Sequence, residues 1–287
     1  MKMATRMPPF ARQIGFDGFA AWLAENGFDA IDTPQLTREI AKTCKQLGLA
    51  LGTSDGGASV LSRDAAKRRK GISEYKKSLT AIAKNGGHTL FTVLGPDDAS
   101  IPKAETFELF KKVYPQILAH AEKVGVNIAI EPYPGGRPYY ANLGCSPESL
   151  RLIFEACPSP NLGICYDPSH YVRQQIDYQR VLHEFGDRVR HVHLNDTEIM
   201  PEKLYESGNL GEAYANSYVC GEGWWRYTIP GEGEVDWNYV IRRLEDFGYD
   251  GVLSVELEDH YFWQTLELQQ EGLLRSKDYI EQFIRQR

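Results

Sequence analysis

Four apolar runs in the C-terminal two-thirds of the chain each end in a side chain able to bind a metal: Asn127-Ile-Ala-Ile-Glu131, Leu162-Gly-Ile-Cys-Tyr-Asp167, Arg190-His-Val-His193 and Val252-Leu-Ser-Val-Glu256. Ligands at the ends of successive parallel strands converge on one point; the same residues scattered over loops do not. A solitary Asp or Glu at a strand end is commonly a helix cap or a surface charge, but four ligand types at equivalent ends of four late strands are a different case. Carboxylates gathered at one spot repel one another and take up protons unless a cation neutralises them. Three carboxylates and one imidazole form a hard, oxygen-rich set. They point to a single divalent ion, Mn²⁺ before Mg²⁺, Co²⁺ or Zn²⁺, and away from a thiolate-bound structural zinc.

Strand alternation tests this reading, because every second side chain faces the same way. If Glu131, Asp167 and Glu256 point inward, so do Asn127, Ala129, Gly163, Cys165, Val252 and Ser254, while Ile128, Ile130, Ile164, Tyr166, Leu253 and Val255 point outward. Large apolar residues then face helices, and small or polar ones face the axis. His191 and His193 share a strand face roughly 6 to 7 Å apart, so both cannot reach one ion. His193, nearer the strand end, is the expected ligand, and His191 is a hydrogen-bonded residue one layer below. His170, in Asp167-Pro-Ser-His170, either caps a loop or contacts a substrate hydroxyl from beside the ligands.

The elements that must position these residues alternate almost from end to end. Short apolar strands (Met3–Met7, Ala30–Thr33, Leu49–Thr53, Thr89–Leu94, Asn127–Glu131, Leu162–Asp167, Arg190–Asn195, Val252–Glu256) are interleaved with longer amphipathic stretches, the pattern of repeated βα units around a parallel sheet. Helices are predicted near Asp17–Asn26, Thr37–Leu47, Asp64–Lys84, Lys103–Val124, Pro147–Ala156, Tyr178–Phe185, Asp236–Phe247 and Leu266–Arg285. Ser146-Pro147-Glu148 reads as a helix start, and Gly27, Gly48, Gly125 and Gly248 follow helix ends. The 287 residues are expected to form one α/β domain, a (β/α)8 TIM barrel, which routinely needs about 250 residues in one piece.

One segment breaks the rhythm. Between the seventh strand and its helix, Asp196 to Glu234 forms a long insertion holding six glycines and Trp224-Trp225-Arg226. Ordered loops of that length serve as lids or binding surfaces, or make packing and subunit contacts. We expect Trp224, Trp225 and Arg226 to contact substrate.

Composition narrows the partners. A net charge of −7 and a pI near 5.6 leave no basic footprint for nucleic acid, and Lys67-Arg-Arg-Lys70 reads as a solvated helix face. No window approaches the roughly 20 apolar residues of a membrane span, and the N-terminus lacks a signal-peptide core. The five cysteines are odd in number and include no Cys-x-x-Cys pair, as in a reduced cytoplasmic protein. Neither a dinucleotide fingerprint nor a phosphate loop is present, so no nucleotide cofactor is expected, and no serine sits in a nucleophile elbow.

Taken together, Glu131-Pro132, Asp167-Pro-Ser-His170, His191-Val-His-Leu-Asn-Asp196 and Ser254-Val-Glu256 resemble the sugar isomerase/epimerase superfamily with the xylose-isomerase-like barrel, which includes ketose 3-epimerases and inosose isomerases and dehydratases. The resemblance implies a metal held by Glu131, Asp167, His193 and Glu256, with Glu131 and Glu256 doubling as the acid/base pair. It also implies a substrate role for His170. The arginine that follows the histidine ligand in ketose epimerases has no near counterpart, and Arg226 is its candidate replacement. The expected activity is epimerisation or isomerisation of a small keto-sugar or polyol through an enediolate, in a homo-oligomer. A lyase or dehydratase is the alternative, including inosose dehydration and keto- or C-glycoside cleavage, and a non-catalytic sugar-binding role is a minor one. Metal-dependent apurinic endonucleases share similar strands, but the early strand ends here, Thr53-Ser-Asp55 and Leu94-Gly-Pro96, carry none of the histidines of their metal cluster.

Overall fold

A computed structural model of the chain describes residues 1–56, 60–210 and 220–284. The first half runs β1 (Lys2–Thr5), α1 (Gly15–Glu25), β2 (Ala30–Thr33), α2 (Arg38–Leu47), β3 (Ala50–Asp55), α3 (Ala65–Lys84), β4 (Thr89–Thr92), α4 (Lys103–Val124) and β5 (Asn127–Ile130). There follow α5 (Pro147–Ala156), β6 (Leu162–Tyr166), α6 (Pro168–Arg173), α7 (Tyr178–Phe185), β7 (Val189–Leu194), β8 (Asp196–Ile199) and α8 (Pro201–Ser207). The chain closes with β9 (Trp225–Thr228), α9 (Trp237–Asp246), β10 (Val252–Val255) and α10 (Leu266–Glu281). The residues fall into two compact units. One holds Met1–Ile31, Asp167–Asp187 and the described residues from Val192 onward; the other holds Asp32–Tyr166 and Arg188–His191.

In the second of these, β3, β4, β5 and β6 are parallel neighbours, with Ser54 opposite Leu90, Thr92 opposite Ile130 and Ala129 opposite Gly163. Strands β5 and β6 are buried along almost their whole length, the mark of a parallel sheet covered by helices. Ile128 and Ile130 join Phe110, Val113 and Ile117 of α4 and Tyr75 and Leu79 of α3 in one apolar cluster, so the outward phase assigned to β5 is the one that meets helices. Each such side chain contributes about 1.5 to 3 kcal/mol on burial. Gly163 is required on its strand: a Cβ there would collide with the carbonyl oxygen of Arg188.

In the first unit, β1 pairs with β10 from Lys2 opposite Val252 to Thr5 opposite Val255, and β10 pairs with β7 through Ser254 opposite His193. That register brings the end of β7 beside the end of β10. Side-chain caps start three of the helices: Asp177 accepts from the Arg180 amide, Asp236 from Tyr239 and Thr265 from Leu268, each typically worth about 1 kcal/mol.

Three of the proposed ligands lie one step past the strands that the sequence placed them in. Glu131, Asp167 and Glu256 follow β5, β6 and β10. Pro132 and Pro168 explain two of these, since proline has no N–H to extend a ladder. The described part of the insertion holds regular structure that its glycines do not suggest. Strands β8 and β9 form an antiparallel ribbon pairing Asp196 with Thr228, Thr197 with Tyr227, Glu198 with Arg226 and Ile199 with Trp225. Residues 211–219, including Gly211, lie outside the described residues. No described helix is long and apolar enough to cross a membrane.

Candidate metal centre

Asp167 leaves β6 and immediately caps α6. Its Oδ1 accepts the Ser169 amide at 2.8 Å and the Ser169 hydroxyl at 2.6 Å. The cap holds the carboxylate rigid while its Oδ2 faces two imidazoles, lying 3.7 Å from His170 Nε2 and 3.9 Å from His193 Nδ1. The same His193 Nδ1 is 3.0 Å from Glu256 Oε2. Asp167 and His193 are fully buried, and the Glu256 side chain is 19% exposed. Asp167, His170 and Glu256 each offer an atom within 4.8 Å of the others.

The 3.0 Å separation of His193 Nδ1 from Glu256 Oε2 fits two ligands of one divalent cation, and the Asp167 separations of 3.7 and 3.9 Å lie just beyond the spacing of such ligands. Metal–oxygen and metal–nitrogen bonds of about 2.0 to 2.2 Å put neighbouring ligands about 3 to 3.6 Å apart. The donors are an imidazole and carboxylates that burial would otherwise penalise. Asp167, Glu256 and one of the two imidazoles, His170 or His193, could hold such an ion.

Glu256 has a second partner that strand patterning does not reveal. Arg6, just after β1, brings Nε to 3.2 Å from Glu256 Oε1, and its amide donates to the Val255 carbonyl at 3.1 Å. A cation at the end of a barrel strand was the available signal.

On α6, His170 is 3% exposed and its Nδ1 lies 2.6 Å from the Tyr227 hydroxyl. Arg173, one turn on, donates from Nη1 to the same hydroxyl at 2.7 Å and stacks its guanidinium 4.5 Å over the Trp225 ring. Burial pushes the Tyr227 phenol well above its ordinary range, against the lowering effect of Arg173. Neither Arg173 nor Tyr227 was singled out from sequence.

Among the insertion residues expected to meet substrate, Trp224 and Trp225 are buried in an apolar cluster with Tyr227, Ile199, Leu204 and Cys220. Arg226 projects from the opposite side of β9. Its Nε donates to Glu198 at 2.6 Å, its Nη1 to Asp259 at 3.3 Å, and its guanidinium lies over the Tyr261 ring.

The other unit contains Glu131, His191 and Cys165. Glu131 is 2% exposed, and its amide donates to the Thr92 carbonyl at 2.9 Å. His191 is bound through Nε2 to Asp32 at 3.0 Å, and Asp32 in turn accepts the Thr53 amide. His191 is thus hydrogen-bonded, as expected from the sequence.

Residues 8–280 match the sequence model of the xylose isomerase-like TIM barrel family. The chain belongs to that family. In the xylose isomerase-like TIM barrel, as in other TIM barrels, the C-terminal strand ends carry the chemistry, and Asp167, His193 and Glu256 end β6, β7 and β10. The fructoselysine 3-epimerase of Escherichia coli O157:H7 is 22% identical over 258 residues, covering 88% of this chain and 84% of that protein. An inosose dehydratase of Clostridium perfringens is 34% identical over 268 residues, covering 88% and 85%. Among solved structures, the IOLI protein with a bound zinc atom matches with a TM-score of 0.70 at 18% identity, over 100% of both chains. These matched proteins include an epimerase and a dehydratase.

Proposed function

We propose that the protein is a divalent-metal-dependent epimerase or isomerase of a small keto-sugar or related polyol. The observation that carries this reading is the convergence of Asp167 Oδ2, His193 Nδ1 and Glu256 Oε2 in a barrel whose relatives include a 3-epimerase. Glu131 is proposed as the fourth ligand, because it ends β5 as Asp167 ends β6. A divalent cation bound there supplies Lewis-acid withdrawal of charge from the substrate's neighbouring oxygens.

The remaining chemistry belongs to the side chains. Glu131 and Glu256 are the acid/base pair, one removing the proton beside the carbonyl and the other returning a proton to the opposite face of the same carbon. Arg6 holds the Glu256 carboxylate in place through its 3.2 Å ion pair. His170 donates to a substrate oxygen, and the aromatic cluster around Trp224 and Trp225 keeps water from the reacting carbon. The protein is read as cytoplasmic and homo-oligomeric, with Mn²⁺ as the first ion to test.

The 34% identity to an inosose dehydratase favours a second reading. The same proton abstraction followed by loss of a β-hydroxyl makes the protein a dehydratase.

The deciding experiment incubates the Mn²⁺-loaded protein with a panel of keto-sugars and inososes in D₂O. Deuterium in an epimeric or isomeric product supports the first reading, and a product lighter by one water supports the second. Tight metal binding without exchange on any substrate of the panel would replace both with a binding role.

A further inference from the structure

Two imidazoles stand beside Asp167, and the metal reading needs only one. His170 and His193 place nitrogens 3.7 and 3.9 Å from the same carboxylate oxygen, so the distance to Asp167 does not choose between them. The hydrogen-bond inventory of Tyr227 does.

The Tyr227 oxygen is buried and has two polar neighbours, Arg173 Nη1 at 2.7 Å and His170 Nδ1 at 2.6 Å. A guanidinium has donors only, so Arg173 must donate and the phenol oxygen must accept. Among the described residues the phenol's single hydrogen then has one acceptor within reach, His170 Nδ1. Leaving that hydrogen without an acceptor in a buried setting would be costly. A phenol this deeply buried also keeps its proton. With Nδ1 accepting, a neutral His170 carries its hydrogen on Nε2, the nitrogen on the Asp167 side.

We infer that Tyr227, oriented by Arg173, locks His170 as an Nε2–H donor, which bars it from ligating the cation and reserves it for a substrate oxygen. His193 is then the imidazole ligand. The lock is supplied by the insertion: Tyr227 lies on β9, paired with Thr197 of β8, and Trp225 two residues earlier forms the floor under the Arg173 guanidinium. Thr197 ties the ribbon to α6 by donating its hydroxyl to the Ser169 carbonyl at 2.9 Å. The long segment after β7 therefore acts on chemistry by setting a tautomer. Tyr227 and Arg173 are positioning residues; the substrate contact of His170 rests on the function proposed above, whereas the tautomer does not.

The test uses the full chain loaded with diamagnetic Zn²⁺ and labelled with ¹⁵N-histidine. Long-range ¹H–¹⁵N correlation, assigned against His170→Gln, is expected to show an unprotonated Nδ1 and a protonated Nε2 for His170. In Tyr227→Phe the pattern should become a mixture or invert. Zinc affinity should stay within about threefold in His170→Gln and fall at least 100-fold in His193→Ala. On a substrate found by the exchange screen, Tyr227→Phe and Arg173→Met should lower kcat about 10- to 100-fold with KM changed less, and Arg173→Lys should restore part of it. A wild-type His170 protonated on Nδ1, or zinc affinity lost in His170→Gln, overturns the lock. Were the screen to find no substrate, the spectrum and the zinc titration would still decide the tautomer, so failure of the functional reading and failure of the lock are separable.

Discussion

His193 Nδ1 stands 3.0 Å from Glu256 Oε2 at the ends of two hydrogen-bonded parallel strands. The pairing of Ser254 with His193 fixes this approach through the backbone, before any ligand enters. Either the imidazole donates to the carboxylate, or both atoms turn to one cation. Calorimetric titration of chelator-treated protein with Mn²⁺ or Zn²⁺ should show one tight site. His193→Ala should weaken it at least about 100-fold, and His191→Ala, whose ring is tied to Asp32, by less than about tenfold. Equal losses would mean that the wrong histidine has been chosen.

Glu256→Gln keeps the size and one coordinating oxygen while removing the basic carboxylate. Metal should remain bound, and turnover on the true substrate should fall by about 10² to 10⁴-fold. Inversion at the wild-type rate in this variant would end the two-carboxylate mechanism.

Arg226→Ala is expected to act on stability as well as activity. The substitution strips Asp259, a fully buried carboxylate, of its guanidinium and leaves it the amides of Ile229 and Tyr261. The cost should be about 1 to 3 kcal/mol, read as a Tm lower by several degrees. A changed KM at unchanged Tm would instead support direct substrate contact by Arg226.

Asp196 offers a pH test. Burial pushes its carboxyl up to about 6, against the lowering effect of Trp237 and the amides of Thr197, Gly231 and Val235. A folded pKa above the unfolded value of about 3.9 stabilises the fold most at low pH, and that contribution is lost as pH rises through 6. Urea unfolding at pH 4.5 and at pH 7 should show wild type losing about 2 kcal/mol relative to Asp196→Asn across that span. A constant difference between the two proteins would show that the four donors hold the carboxylate ionised throughout.

Gly163→Ala should cost at least about 2 kcal/mol in unfolding free energy, because its methyl would drive into the Arg188 carbonyl and the Arg190 side chain. Stability equal to wild type would show that β6 can move aside at no cost.

Much of this molecule is written in local pattern. Alternation and capping residues are short-range properties of a chain, so α4, α5 and α7 begin and end where apolar spacing, Pro147 and Gly125 place them. Strand-end position is equally local, which is why Asp167, His193 and Glu256 could be put forward as candidates from the sequence, and the structure brings the three together. The ribbon of β8 and β9 could not be, because its pairing joins residues about thirty positions apart across a glycine-rich stretch with no strand-like alternation. Nor could the Arg6–Glu256 pair, whose members lie at opposite ends of the chain and meet because β1 pairs with β10. Arg173, Tyr227 and His170 form one hydrogen-bonded unit only after the ribbon has folded back on α6. The sequence by itself determined which acidic and imidazole side chains stand at strand ends and which elements carry them; tertiary structure decided which cation holds Glu256 and which phenol lies against His170, because ion pairs and hydrogen bonds depend on distances that no sequence interval measures.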